Sequence, residues 1–457
     1  MKILRRTLAA LLALAVMLTL LLWRAPPALL RVGANYSAKI VCSNVFLAGR
    51  DPDEVLRVDV QAPGIALLRL MRVSVDREHR VVRAGFLGFI GNGLAIARPG
   101  RGCTVMPDGK LDLAGGAAAA PLESANGSAA AAASLWPDGS AVQTNAALDH
   151  VLADDALAGP GARALLVVNH GRIVAERYAS GFSARTPLLG WSMTKTVMAG
   201  LIGMLVKDGK LTLDQPGFWP ASSSDGRDRI RVADLLAMSS GLKFNEAYGS
   251  VSDVTGMLYL QPDMAGFARD QPLIHPVGEV WSYSSGTAVI LSRIMQDAAG
   301  GAGLEFAEDR LFKPLGMSSA TLESDEHGTL VGSSYMYATA RDWARYAQFL
   351  LQDGAWAGQQ LLPPGYVAMM ATPVAASGGQ YGHGQVWLWG SDARVPGVNP
   401  DAAFGIPADI FWFSGHDGQS IAVIRSRQLI VVRLGLTPES LGYTTQPLVK
   451  AVLEALQ

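Results

Sequence analysis

The chain has 457 residues, 49% of them hydrophobic, enough for one large domain with a smaller one or for two or three of average size around a sizeable core. Its 38 Lys and Arg stand against 39 Asp and Glu for a formal net charge of -1, and the two signs are interspersed. No basic face for a polyanion results, which excludes nucleic acid as a partner.

In chain order, Lys2, Arg5 and Arg6 precede an uncharged, mostly Leu and Ala run from Thr7 to Trp23, with Arg24, Pro26 and Pro27 behind it. A basic start before an apolar stretch is the pattern of a secretory signal, or of one membrane-spanning anchor with its basic end in the cytoplasm. Either way the chain is exported. No clear small-x-small cleavage site follows the run, which favours an uncleaved anchor over residues 1–24, with the rest of the chain periplasmic and tethered to the inner membrane. Cys42 and Cys103 are the two cysteines, an even count in an oxidising compartment. A disulfide between them would close a loop of about 60 residues and contribute ~4 kcal/mol through the unfolded state. Two unpaired buried thiols are the alternative.

Residues 25–112 hold short β-branched segments such as VLRVDV (55–60) and RVVRAGFLGFI (80–90), separated by Gly and Pro, and predict a small β-rich module. Residues 113–140 are nearly all small and predict a linker, since they carry too little apolar area to hold a fold. From 141 to 457 the pattern is that of one α/β (α+β) domain. ALLVVNHGRIVAERYA (164–179) reads as a hairpin whose two runs join at Asn169, His170 and Gly171, and SIAVIRS (420–426) with QLIVVRLG (428–435) forms a second pair of runs before an amphipathic stretch at 447–456. Helical patterns lie between, at 193–207, 231–239 and 287–298. An antiparallel sheet built from both ends of the domain, flanked by helices and carrying a helical insert, suits this order.

Ser192 and Lys195 open the helix GWSMTKTVMAG (190–200) one turn apart on one face, so hydroxyl and amine can touch. The helix N-terminus favours negative charge developing on the serine oxygen, and burial in the apolar interior VMAGLIGMLV (197–206) disfavours the ammonium form of Lys195, readying an amine to accept the serine proton. The alternative is a capping serine with Lys195 reaching to water. Ser240 and Lys243 repeat the spacing, but Gly241 after RVADLLAMSS reads as a helix end, which points that pair apart.

Ser192-Met193-Thr194-Lys195, Tyr283-Ser284-Ser285 and His416-Asp417-Gly418, in that order, resemble the motifs of class C β-lactamase and penicillin-binding-protein-like serine hydrolases. The flanking GWSMTKTV, DLLAMSSGL, WSYSSG and SGHDGQ look most like the branch of 6-aminohexanoate-dimer hydrolases and related esterases. The resemblance covers about residues 141–457 and implies a β-lactamase-like fold. It implies that Ser192 is the acylated nucleophile, Lys195 its base or the group that keeps the base deprotonated, and Tyr283 the shuttle for a proton between nucleophile, leaving group and water. Gly418 would let backbone pass close to substrate, and the amide of Gln419 would pair with that of Ser192 as an oxyanion hole. Two departures bear on substrate. Ser285 stands where β-lactamases carry an asparagine, and His416 replaces a fixed positive charge that would hold a substrate carboxylate. Both point away from penicillins and towards a small ester or amide. Trp191, Trp387 and Trp389 are candidates for the wall of an apolar pocket, or core aromatics.

Other hydrolase chemistries lack their signatures. The chain has no Gly-x-Ser-x-Gly, no His-x-x-x-His, no dinucleotide fingerprint and no P-loop, so neither metal nor cofactor is expected. The rival readings are a D-alanyl peptidase or β-lactamase, and a membrane-anchored binding module that kept the fold without turnover.

Overall fold

A run that is apolar on every side must either be buried or leave the protein altogether, and the first helix does the latter. In the computed structural model, which describes residues 2–62, 65–110, 133–216, 218, 219, 223, 225–390 and 397–457, α1 (Lys2–Arg24) is exposed from Ile3 to Arg24 apart from a half-buried Leu22. Its stretch Ile3–Arg24, 22 residues of mean hydropathy 2.0, is long and apolar enough to cross a membrane.

The chain divides into two units, α1 belonging to the first. The first takes in the N-terminal part of the chain together with Asn245–Pro262 and Asp325–His327. At its centre α2 (Ala28–Phe46) lies against an antiparallel sheet of β1 (Met71–Asp76), β2 (Val81–Phe86), β3 (Ile90–Arg98) and β4 (Gly102–Val105), in that order. Close approach depends on Gly93: a Cβ there would sit 2.3 Å from the backbone of Ala34. Asn35, fully buried in α2, donates to the carbonyl of Tyr259 at 2.7 Å and accepts from the amide of Leu94 at 3.1 Å, so its polar atoms are satisfied while it ties helix to sheet. Cys42 and Cys103 are bonded, with Cα atoms 6.0 Å apart, and staple α2 to β4.

Two expectations for this region need correction. Residues 28–46 are helical where only short β segments were expected, because α2 is buried on most sides from Val32 to Val45 and shows no polar face to betray a helical period. VLRVDV is helical too, continuing from α3 (Pro52–Val55). The β-branched residues are overruled by a strong start signal: Asp51 caps the amide of Glu54, and Pro52 sits in the first turn, where its missing N–H costs nothing. The linker expected over 113–140 lies outside the described residues as far as 132. Its end does not hang free, since Trp136 is fully buried with the Arg345 guanidinium 5.5 Å from its ring.

In the second unit α4 (Ala146–Ala153) precedes the hairpin of β5 (Ala162–Asn169) and β6 (Arg172–Tyr178). Then come β7 (Leu188–Leu189), α5 (Met193–Lys207), α6 (Val232–Leu236), α7 (Ser285–Ala298), β8 (Thr321–Leu322), β9 (Met336–Ala338) and α8 (Ala340–Leu351). The chain ends in β10 (Ile410–Gly415), β11 (Gln419–Ile424), β12 (Leu429–Gly435) and α9 (Gln446–Ala455). The main sheet is antiparallel in the order β10-β11-β12-β5-β6, joining the two ends of the domain as expected and leaving β10 at an edge. Leu165, Val167, Trp412, Ala422 and Val431 pack with Leu148 of α4 and Leu448 of α9 into one apolar core. On the opposite face Phe413 meets Tyr346 of α8, with ring centroids 5.8 Å apart.

Candidate active site

Thirteen consecutive residues of α5, Met193 to Leu205, are buried, so this helix threads the interior of its unit and cannot turn Lys195 to water. Its entry is tight. Trp191 adopts a left-handed backbone (φ 48), and a Cβ on Gly190 would lie 2.1 Å from the ring of Trp343. Ser192 occupies the N-cap position yet makes no capping bond. Its Oγ instead accepts from Lys195 Nζ at 2.9 Å.

Lys195 is 1% exposed. Nζ also donates to Ser285 Oγ at 3.0 Å and to the carbonyl of Ser333 at 2.9 Å. These three acceptors are all uncharged. The reading in which Ser192 caps and Lys195 reaches solvent is ruled out by this geometry.

Tyr283 and Ser285 come from the start of α7. Ser284 caps that helix by accepting from the amide of Thr287 at 3.0 Å, which sets Tyr283 just outside it and Ser285 in its first turn. Ser285 is fully buried against Lys195, and the Tyr283 ring centroid lies 4.8 Å from Lys195 Nζ. Two serine hydroxyls and a phenol ring therefore gather around the Lys195 amine. Behind Tyr283 stand Trp387 at 5.3 Å and Tyr381 at 5.9 Å between ring centroids, with Trp281 packed on both of those. Of the three candidate wall tryptophans, Trp387 joins this cluster, whereas Trp191 is buried against Tyr335 and His416.

The C-terminal motif is arranged differently from expectation. Trp412 exchanges both backbone hydrogen bonds with Trp387, N–H to carbonyl at 2.7 Å and carbonyl to N–H at 3.0 Å, so its backbone polar groups point away from β11 at the outer edge of β10. Strand alternation then turns the carbonyl of Gly415 inward to β11, and the N–H of His416, in the same trans peptide, outward. Gly415 is still extended there (φ -130, ψ 156), and a Cβ on it would lie 2.3 Å from the carbonyl of Gly190, in the turn that leads into Ser192. The outward amide next to Ser192 belongs to His416 and not, as expected, to Gln419.

Gln419 opens the second strand, and its side chain holds the turn together from within. Nε2 donates to the carbonyls of His416 and Asp417, each at 3.2 Å, and to Gly435 at 2.6 Å, while Oε1 accepts from Gly435 N–H at 2.9 Å. Gly418 takes φ 79 and gives its carbonyl to the fully buried Arg433 at 2.8 Å. Both residues shape the turn. The His416 ring packs edge-on against Trp191 at 5.5 Å, and its Nε2 lies 3.5 Å from Asp417 Oδ1. Burial pushes the Asp417 carboxyl up from its ordinary range, and the attraction of His416 and of Arg163 opposes this.

Sequence reasoning missed the Ser333 carbonyl, which any residue type could supply and no motif announces. It also missed Trp281 and Arg433. The alternation of Trp281 with Tyr283 on an extended segment, and one arginine inside the apolar run QLIVVRLG, were the available signals. Among the described residues no group of His, Cys, Asp or Glu could hold a metal ion.

A model of the beta-lactamase family matches residues 152–442. The 6-aminohexanoate-dimer hydrolase of Paenarthrobacter ureafaciens is 24% identical over 221 residues, which is 45% of this chain and 55% of that enzyme, so the match spans about half the length of this curated relative. A penicillin-binding protein homologue from Caulobacter crescentus superposes with a TM-score of 0.51 at 18% identity, over 68% of this chain and 97% of that one. An octameric penicillin-binding protein homologue from Pyrococcus abyssi gives 0.50 at 19% identity, over 67% and 75%. At such identities the structural matches carry the fold alone.

Proposed function

The chain belongs to the beta-lactamase family of serine hydrolases, and on that premise we propose that it hydrolyses a small ester or linear amide through an acyl-enzyme on Ser192. Ser192 Oγ attacks the substrate carbonyl carbon as its proton passes to the Lys195 amine. The C–O or C–N bond then breaks, with a proton delivered through Tyr283 to the departing alcohol or amine. Water attacks the resulting ester of Ser192, giving one proton back to the pair and releasing the acid. The amides of Ser192 and His416 are the donors assigned to the developing oxyanion.

One observation carries the reading: a buried Lys195 Nζ 2.9 Å from Ser192 Oγ, with the Tyr283 ring 4.8 Å away. Two more favour a small substrate over a penicillin or a peptide. Ser285 is engaged by Lys195, not aimed outward as a substrate-orienting amide would be. Trp387 occupies the edge of β10 at Trp412, where an extended peptide would otherwise add as a strand. The location that goes with this activity is periplasmic, with α1 as an inner-membrane tether whose basic end stays in the cytoplasm, in keeping with the disulfide.

The test is fluorophosphonate labelling with a hydrolysis panel of a short p-nitrophenyl ester, a linear amide dimer, a D-Ala-D-Ala peptide and nitrocefin. Labelling at Ser192 and preference for the ester or linear amide are expected. Absence of label together with rates equal to Ser192→Ala would leave a binding module, and preference for nitrocefin or the peptide would return the enzyme to the better-known activities of its fold.

A further inference from the structure

The N-terminal unit exposes its apolar side chains at one end of its sheet. Leu29, Leu70, Leu87 and Phe89 are 36%, 42%, 50% and 44% exposed. They lie close together in the fold. Leu87 donates its amide to the carbonyl of Leu70 at 2.9 Å, Phe89 shares the β2–β3 turn with Leu87, and a Cβ on Gly91 would lie 2.8 Å from the carbonyl of Leu30. The opposite end of the β1–β2 hairpin is charged, with Arg77, Glu78, His79 and Arg80 all exposed.

The apolar end is also where α1 joins. Ala25, Pro26 and Pro27 alone separate Arg24 from Ala28, which limits the gap to ~14 Å even for fully extended chain. Arg24, Arg69 and Arg72 are exposed around the apolar tip. Arg72 and Arg83 line a concavity of about 330 Å³ with Ser74, Asn92 and Phe89, and Asp108 contributes one carboxylate to its wall. Apolar side chains ringed by cations are the composition that settles at an anionic lipid interface.

We propose that this end of the N-terminal unit seats in the outer face of the membrane that α1 crosses, Leu29, Leu70, Leu87 and Phe89 entering the boundary between headgroups and acyl chains while the arginines meet lipid phosphates. The inference rests on the reading of α1 as an uncleaved span. The occupant follows from connectivity: a span ending at Trp23 and Arg24 brings the tip to the bilayer surface before any other partner can compete for it. The unit would then be held on the membrane at two points and not swing from a tether.

The test uses the full chain in nanodiscs containing phosphatidylglycerol, with an environment-sensitive fluorophore on one introduced cysteine at a time: Trp23→Cys, Leu87→Cys or Glu78→Cys. The native cysteines are bonded to each other and stay unlabelled. Quenching by lipids carrying a shallow nitroxide is expected at positions 23 and 87 and not at 78, which lies ~20 Å along the hairpin from the tip. Quenching at 23 without quenching at 87 overturns the seat and leaves the anchor standing. No quenching at 23 overturns the anchor and the seat with it. Equal quenching at 87 and 78 also overturns the proposal, because it means the unit lies on the membrane without the orientation claimed.

Discussion

Two serines in this chain are followed by a lysine three residues later, Ser192 by Lys195 and Ser240 by Lys243. Ser192 stands at the front of a helix whose every side is packed, so Lys195 is kept from solvent and takes its partners from Ser192, Ser285 and Ser333. Ser240 follows the end of α6, and Gly241 turns the chain through φ 77 before Lys243 is reached. Ser240 is buried, with its Oγ accepting from the amide of Leu242 at 3.3 Å, while the Lys243 side chain is exposed. The spacing is shared and the helical phase is not. A serine and lysine become a reactive pair when a helix stacks them and a core denies the amine to water.

The largest effect that could break this contrast is the removal of each hydroxyl. Ser192→Ala should reduce ester turnover to the uncatalysed background, and Ser240→Ala should leave kcat/KM within about twofold, measured side by side on a short p-nitrophenyl ester. Appreciable turnover in Ser192→Ala would end the comparison. The lysines come next. Lys195→Met should cost roughly two to four orders of magnitude in kcat, the scale of general-base removal, and Lys243→Met almost nothing.

The phenol tests whether Lys195 acts alone. Tyr283→Phe keeps the ring against Trp387 and Tyr381, so the fold should be intact by near-ultraviolet circular dichroism while kcat falls by about two orders of magnitude. A near-normal rate would remove Tyr283 from the proton path. A smaller effect should come from the edge strand. Gly415→Ala forces a Cβ against the carbonyl of Gly190 and should lower stability by about 1–3 kcal/mol in urea titration, with a loss of kcat as His416 shifts. The matching decoy, Gly241→Ala, also meets a carbonyl, that of His275, and should lower stability without the excess loss of kcat.

Much of this arrangement could be read from residue order. The hairpin at 164–179 and the strands at 420–435 announce themselves because apolar runs there break at a tight turn, and local rules decide local structure. That Ser192, Lys195, Tyr283 and Ser285 come together was legible because they stand in short side-chain motifs. What stayed hidden depends on phase or on backbone. α2 is packed on nearly every side and shows no stripe, and VLRVDV has the composition of a strand although Asp51 and Pro52 start a helix ahead of it. The amide beside Ser192 belongs to His416 because Trp412 faces outward two pairs of alternations earlier, a fact of strand phase that a motif alone does not contain. The carbonyl of Ser333 is anonymous in any sequence.

The decoy pair lacks a second segment such as the turn at 416–418, and the smallest expected effect lies in what that turn costs the fold. Asp417 sits in a left-handed conformation (φ 57) with its carboxyl raised by burial, an effect that the attraction of His416 and Arg163 reduces but does not cancel. A carboxyl whose pKa is higher folded than unfolded binds its proton more tightly in the native state. Its contribution to stability is therefore fully present below the unfolded value of about 3.9 and is lost as pH rises through the folded one, so at neutral pH the ionised group weighs against folding. Asp417→Asn removes that charge, keeps the shape and tolerates the left-handed backbone. The variant should melt slightly above the wild type at neutral pH, with the difference shrinking as the pH is taken down to the unfolded value. A wild type more stable than Asp417→Asn at neutral pH would mean that the attraction to His416 and Arg163 outweighs burial, and that the turn gains from its anion.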